Sequence, residues 1–435
     1  MNCKKFHLRY NYGLVMAALP VCLFASFGVI AQIPADEPET AQVEILADTQ
    51  ANKRELMAEE DPLATEEFNK EKQETFWYDT PNTVRTYGSV QVRYRDTGLG
   101  PVWGDGGSRA GIESHWQMMS KRWILGGYEA GFNVLDSIDQ IIDPGSASRE
   151  DGNSIFTRLA YIGFNGPNLV ALYGKNWSTY YKVASLTDRF QGTGSSASGV
   201  YNAKTDGGAT GTGRADEVLQ MRLHIDFFPD DWNLKPFNIN LQFQHGEPVP
   251  DIDNINYGKA FGISAVLNTK DGYTLGIAYN YAKIPDASNP AVLKAGIDGD
   301  VHALVIGTRW YGDKYYAGVI TTRLENHETT DTSTYFDGTG GEIYGQYNVH
   351  GPWWITAGYN ALIPDSDQSQ AGQYKIDYGV LGVRYSIDGF HPMIYFNARI
   401  DNGRLTDGIS IGNIYTVGIR WDLEIKSTWL PLRRP

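Results

Sequence analysis

The sequence is almost without cysteine: of its 435 residues only Cys3 and Cys22 carry a thiol, and both lie within the first 31 residues. If that segment is removed, disulfides, cysteine-ligated metals and thiol redox chemistry are all excluded. The histidines His115, His224, His245, His302, His327, His350 and His391 stand singly, without the paired spacing of a zinc site. Beyond residue 31 no apolar run approaches the length of a membrane helix, so a mature chain that spans a membrane would do so with strands. No serine sits in a recognisable nucleophile motif, and the glycine-rich run over 192–213 lacks the Lys-Ser or Lys-Thr of a phosphate loop. These absences lead to the expectation of no enzymatic activity, no catalytic residue, no metal, no cofactor and no nucleic-acid partner.

What is present begins with export. Lys4, Lys5 and Arg9 precede an apolar run from Gly13 to Ile30, which ends in Val29-Ile30-Ala31 ahead of Gln32. This order of charge, apolar run and small residues predicts a signal peptide over 1–31, and Pro20 argues against the alternative of an uncleaved anchor. Residues 32–82 then hold 14 Asp and Glu against 4 Lys and Arg, a net charge of -10. Such a segment buries little apolar surface and reads as a largely disordered acidic periplasmic extension, with peptidoglycan contact as its functional alternative.

From residue 83 the pattern changes to strict alternation. Val84, Thr86, Gly88, Val90, Val92 and Tyr94 alternate with Arg85, Tyr87, Ser89, Gln91, Arg93 and Arg95. Phe237, Ile239, Leu241 and Phe243 alternate in the same way with Asn238, Asn240, Gln242 and Gln244. Alternation alone would also suit a soluble sandwich, but runs here reach 9 to 12 residues, the length of a tilted membrane-crossing strand. Tyr94, Tyr311, Tyr315, Tyr316, Trp353, Trp354 and Trp421 fall near strand ends, where interfacial girdles place aromatics. Short connections around Gly272, Gly312, Gly351 and Gly389 alternate with long polar loops over 137–153, 286–298, 325–340 and 365–373. The fold class expected is therefore all-β, a transmembrane antiparallel β-barrel over 83–423, followed by a short tail over 424–435. The loop pairs Asp251 with Asp253, Asp298 with Asp300 and Asp365 with Asp367 are read as solvated charge rather than calcium sites.

In order and spacing, the segments TYGSVQVRY (86–94), SRAGIE (108–113), GGYEAGF (126–132), TRLAYIGFNG (157–166), LYGKNW (172–177) and YTVGIRWDL (415–423) resemble the trimeric general-diffusion porins of Gram-negative outer membranes. The resemblance implies a barrel of about 16 strands whose third loop, residues 178–213, folds into the lumen and faces arginines across it. It implies a pore constriction of Arg109, Arg158 and Arg214 with Glu129 and the loop carboxylate Asp188. It further implies a homotrimer in the cell outer membrane, in contact with lipopolysaccharide and outer-membrane lipid, passing ions and small hydrophilic solutes. The loop departs from the family pattern at Phe190-Gln191-Gly192-Thr193-Gly194, Ser89 stands where many members carry lysine, and the strand ends in Leu423 rather than an aromatic. The inward arginines Arg85, Arg93, Arg95, Arg222, Arg384, Arg399 and Arg420 are expected only to keep the lumen wet. Two other functions are compatible with the pattern, a sugar- or oligosaccharide-selective porin and a non-conducting structural or adhesin barrel. Trp429 leaves a slightly longer closing strand open as well.

Overall fold

A computed structural model of the chain describes residues 82–96, 101–119, 121–134, 155–191, 194–226, 228–229, 232–386 and 392–429. The expected signal peptide, all of the acidic extension but Asn82, the loop over 137–153 and residues 430–435 lie outside the described residues.

The strands are β1 (Asn82–Asp96), β2 (Pro101–Asp105), β3 (Arg109–Met119), β4 (Arg122–Phe132), β5 (Ile155–Asn165), β6 (Leu169–Trp177), β7 (Arg214–Ile225) and β8 (Phe237–His245). They continue as β9 (Lys259–Asn268), β10 (Tyr273–Ala282), β11 (Val301–Tyr311), β12 (Tyr315–Thr329), β13 (Tyr335–His350), β14 (Trp353–Pro364), β15 (Ile376–Ser386), β16 (Pro392–Asp401) and β17 (Ile414–Trp429). All pairings are antiparallel between neighbours, and β1 pairs with β17 to close the sheet. Closure leaves no edge of unpaired N–H and C=O groups, the condition a sheet must meet inside hydrocarbon.

Seventeen strands make sixteen staves because β2 and β3 share one. Val92–Asp96 of β1 pair with β2, and Thr83–Ser89 pair with β3. The break between them is built by Asp105, whose Oδ1 accepts from the backbone N–H groups of Gly107 and Ser108 at 2.7 and 2.8 Å. Such a side-chain turn competes with the ladder and interrupts it.

The alternation sorts faces as expected. On β8 Asn238, Asn240, Gln242 and Gln244 are buried toward the interior, while Phe243 is exposed. Outward Ile343, Leu381, Val417 and Ile419 form an apolar belt that would cost free energy in water but suits lipid. Aromatic pairs mark its rims, with Tyr273 stacked on Trp310 at 5.5 Å and Trp353 edge-to-face with Tyr385 at 4.8 Å. Tyr311, Tyr316 and Trp354, expected in the girdles, belong elsewhere, because all three occupy inward positions: Arg309 lies over the Tyr311 ring at 5.1 Å, the Tyr316 hydroxyl donates to the Leu186 carbonyl at 2.6 Å, and Trp354 lies under Arg384 at 5.0 Å.

The closing strand runs past the expected end at Leu423. Residues 424–429 pair with residues 82–87, from Tyr87 opposite Glu424 to Asn82 opposite Trp429. Leu423 and Ile425 face outward and keep the strand's alternation going, which is why the sheet continues there.

The apolar core lies between the barrel wall and the long connection from β6 to β7. Tyr180, Tyr181, Val183, Leu186, Ala197 and Val200 of that connection pack on inward residues of the wall, among them Ala278, Val305, Ile320 and Leu324. The described residues of the connection include a short α-helix, α1 (Tyr181–Ala184), and a single 3-10 turn over Asn202–Lys204. Glycine makes the close packing possible. A Cβ at Gly318 would meet the Leu186 carbonyl, and one at Gly340 the Ala197 carbonyl. Gly318→Val is therefore expected to leave the barrel ladder intact, cost about 1–3 kcal/mol in overpacking and push the connection off the wall. Unchanged protection of the Leu186 and Ala197 amides in hydrogen exchange would contradict this.

Candidate functional site

The interior is organised by what residues 178–213 bind. Their neck is tied by the Ser178 N–H donating to the Gly213 carbonyl at 2.8 Å and the Ser178 hydroxyl donating to the Thr212 carbonyl at 2.6 Å. The inward amides of the wall then hold the backbone of the connection. Gln242 Nε2 donates to the Gly211 carbonyl, Gln244 Nε2 to the Gly208 carbonyl and Asn280 Nδ2 to the Thr210 carbonyl, at 2.7, 2.8 and 2.7 Å. Farther along, one Glu342 oxygen accepts from the Thr187 hydroxyl at 2.7 Å and the other from the Ala197 N–H at 2.9 Å. Tyr378 donates to the Ser196 hydroxyl oxygen at 2.8 Å, and Asn397 Nδ2 donates to the Gln191 carbonyl. The connection thus reaches from β6 to the inward faces of β15 and β16.

Three of the expected site residues meet on the other side of the interior. Glu129 on β4 receives Arg158 Nε at 2.5 Å, Arg109 Nε at 3.7 Å and the Tyr87 hydroxyl at 3.0 Å. Arg158 reaches this position through a bulge. Glu129 pairs with Leu159 and Ala130 with Thr157, so Arg158 has no partner across the strand and is re-aimed, where unbroken alternation would oppose it to inward Leu159. A second, parallel cluster was not foreseen. Glu113 accepts from Arg85 at 3.3 Å and from the Tyr161 hydroxyl at 3.4 Å, and Arg85 also meets Glu424 at 3.0 Å. The signal was available in register, since Arg85 stands directly opposite Glu113.

Arg214 and Asp188 lie apart from this group. Arg214 stands over the Trp177 ring at 5.4 Å and pairs with Asp206 at 3.4 Å. Lys175 completes that cluster, 3.0 Å from Asp206 and 2.5 Å from Asp216. Asp188 accepts from the hydroxyls of Tyr181 and Tyr201, each at 2.9 Å, and from Ser195. Its charge is therefore spent on ordering its own connection. Among the described residues, no group of three or more His, Cys, Asp or Glu is placed to hold a metal ion.

The neck cluster has a pH signature. Burial by itself would raise the Asp206 carboxyl, but Arg214 and Lys175 outweigh it and hold the group below the ordinary carboxylate range. A carboxyl whose folded pKa is depressed contributes stability above its unfolded pKa and loses that contribution as pH falls through the folded value. The neck is expected to stay tied in mild acid and to loosen only below the ordinary carboxylate range. Asp206→Asn should loosen it already at neutral pH. The amide exchange rate of Ser178 against pH checks both, and a midpoint at or above the ordinary carboxylate pKa would refute them.

No protein-family model matches the chain, and no curated protein matches it by sequence. Solved structures do. The chain is similar to Salmonella typhi OmpF, solved in complex with daunomycin, at 18% identity and a TM-score of 0.63, covering 79% of this chain and 98% of that one. It is similar to the outer membrane channel DcaP of Acinetobacter baumannii at 13% identity and a TM-score of 0.55, covering 79% and 98%. The anion-selective porin from Comamonas acidovorans matches at 15% identity and a TM-score of 0.54, covering 79% and 100%. The fold is the closed sixteen-stave barrel of Gram-negative outer-membrane porins and channels.

Proposed function

We propose that the protein is an outer-membrane porin, a water-filled channel for passive diffusion of ions and small hydrophilic solutes, with no enzymatic step. The observation that carries this reading is the combination of an apolar outer belt with a polar, arginine-lined interior in one closed sheet. Residues 178–213 act as the constriction loop, supported by their hydrogen bonds to inward side chains from β8 to β16. Arg109, Arg158 and Glu129 form the fixed-charge wall that solutes pass, and Arg214 and Asp188 brace the loop. A transverse field between such groups orients dipolar solutes and penalises apolar ones that cannot exchange their hydration for wall contacts. Arginine suits the wall because it stays charged when crowded by like charge. The working form is a homotrimer in the Gram-negative outer membrane, in contact with lipopolysaccharide, after removal of residues 1–31, with the acidic extension on the periplasmic side.

Reconstitution in a planar bilayer tests this. Stepwise ohmic openings, grouped in threes, are the expected result. Saturable block by sugars would shift the reading to a sugar-selective porin, and a closed barrel would overturn it in favour of a structural role.

A further inference from the structure

The acidic extension ends on a run unlike the rest of it. Of the four aromatic residues between 32 and 82 three are consecutive, Phe76, Trp77 and Tyr78, and they stand just ahead of Pro81 and Asn82, where β1 begins. In a segment that otherwise carries charge, this run is the part able to bury apolar surface. Pro81 has no N–H to give the ladder, which fits the start of wall pairing at Asn82. The Asn82 Oδ1 accepts from the backbone N–H of Gln117 on β3 at 2.7 Å, and Gln117 lies opposite Trp123 on β4. One inward place further along, His115 lies between Thr83 of β1 and Leu125 of β4. The chain therefore enters the barrel two staves from Trp123 and Leu125.

Those two residues belong to an apolar patch on the inward face of β4, β5 and β6, at the end of the barrel that carries the short connections and Asn82. Leu125 lies opposite Gly163 and Gly163 opposite Leu172, so the two leucines meet across a residue without a side chain, and a Cβ on Gly163 would strike both. Tyr161 and Val170 pack on this pair from the same wall. One row nearer the mouth, Trp123 lies opposite Asn165 and Asn165 opposite Val170. Farther around the same end the inward places hold Asn238, Asn240 and Asn268, as a wet lumen requires. Trp123, Leu125 and Leu172 are nevertheless only 4, 2 and 3% exposed. An apolar patch on a wall that faces the lumen stays that dry only under a cover, and neighbours in the same wall lie beside it rather than over it.

We infer that Phe76, Trp77 and Tyr78 fold back through this mouth and dock on the patch, so that the end of the extension forms a strap along the inner wall from β1 toward β6. The reach suffices: two staves separate β1 from β4, about 10 Å, and the five residues from Trp77 to Asn82 span up to about 18 Å. The patch faces inward, which removes lipid and a neighbouring barrel as occupants, and a polar solute has no apolar face to give it. Charge agrees as well. Glu74 and Asp79 flank the aromatic run, and Lys182 and Arg222 line a recess shared with Val170 and Leu172 beside the patch. A docked strap occupies lumen space at the mouth and holds the acidic extension next to it, narrowing the exit. The docking rests on the barrel alone, and the narrowing rests on the channel reading.

The chain has no cysteine beyond residue 31, so an engineered pair in the full mature barrel reads the contact directly. Trp77→Cys with Leu125→Cys is expected to form a disulfide within one chain under mild oxidation. Trp77→Cys with Lys426→Cys is the control, because Lys426 lies opposite Arg85 at a similar reach from Asn82 on the other side of β1, and it should link far more slowly. Should Leu125→Cys keep the barrel from folding, Phe76→Cys with Leu172→Cys makes the same test. Adding Phe76→Ser and Tyr78→Ser to the Trp77 and Leu125 pair should slow its closure about tenfold, since two aromatic anchors are lost. Absence of the intrachain link, linkage to Lys426→Cys at the same rate, or a rate unchanged by the serine substitutions overturns the strap. Single-channel conductance reads the narrowing. Deletion of residues 32–80 should raise it, and closing the disulfide should leave that of the complete chain unchanged; equal conductance with and without residues 32–80 overturns the narrowing. A barrel without conductance overturns the porin reading and the narrowing together, and leaves the docked strap to stand or fall on its disulfide.

Discussion

Glu342→Ala is expected to release the connection over 178–213 and, in the channel proposed above, to raise both conductance and open-channel noise. The carboxylate is fully interior and holds two points ten residues apart, the Thr187 hydroxyl and the Ala197 N–H. Alanine removes both acceptors and leaves the Ala197 N–H buried without a partner. An unsatisfied buried donor costs about 1–3 kcal/mol, and the two hydrogen bonds lost with it bring the total to roughly 2–6 kcal/mol. That sum rivals the stability of a small domain, so the connection and not the ladder should give way, since the ladder keeps all of its own hydrogen bonds. Single-channel recording reads the result as conductance and open-channel noise. Glu342→Gln, which keeps an acceptor oxygen, should fall between the two. If Glu342→Ala conducted like the unaltered protein with equal noise, the anchoring role would be refuted.

Glu129→Ala carries the second large effect, on selectivity. Its carboxylate is the shared partner of Arg109 and Arg158 and lies almost wholly out of contact with solvent. Its removal leaves two guanidinium groups facing each other and the Tyr87 hydroxyl without its acceptor. Losing one member of an interior ion cluster is costly because the others remain charged, here about 3 kcal/mol, given that both arginines keep some access to lumen water. Electrically the lumen gains one positive charge per barrel, and the reversal potential should move toward chloride. Glu129→Gln should give the same electrical shift at a smaller loss of stability. An unmoved reversal potential would place the cluster away from the ion path.

The faces of the strands were legible because the side-chain period of a strand is two, and each run from 83 onward states it locally. The inward place of Arg109 followed from that rule, while the inward place of Glu129 came from the match of GGYEAGF to the family pattern and the alternation of short and long connections from loop composition. What the rule misses is whatever breaks it. Arg158 faces inward through a bulge at Glu129 and Ala130, and no residue in TRLAYIGFNG announces the extra position. The interruption between β2 and β3 depends on Asp105 turning its carboxylate to the following backbone, a choice made only once the neighbouring strand is present. Asp188 was readable as a loop carboxylate, but the three hydroxyls that claim it come from residues up to thirteen positions away in an irregular fold. The arginines of β15, β16, β17 and β1 were readable one strand at a time as wetting residues. Their grouping depends on which strand lies beside which, and closure places Gly418 opposite Arg93.

That closure also sets an order of events. Fifteen consecutive positions of β1, Asn82 to Asp96, find their partners on β17, the last described strand. Contacts between such distant segments are the slowest a chain can make, because the loop between them must be closed before any pairing rewards it. Every other stave can pair with a neighbour close in sequence, so the sheet can grow as a chain of hairpins with both of its outer margins bare. The Arg85 to Glu424 ion pair and the pairing of residues 82–87 with 424–429 belong to the final zipping step. A chain cut after Leu423 would thus arrive at that step with the sheet assembled and a gap in the seam, vulnerable to cross-pairing with another molecule.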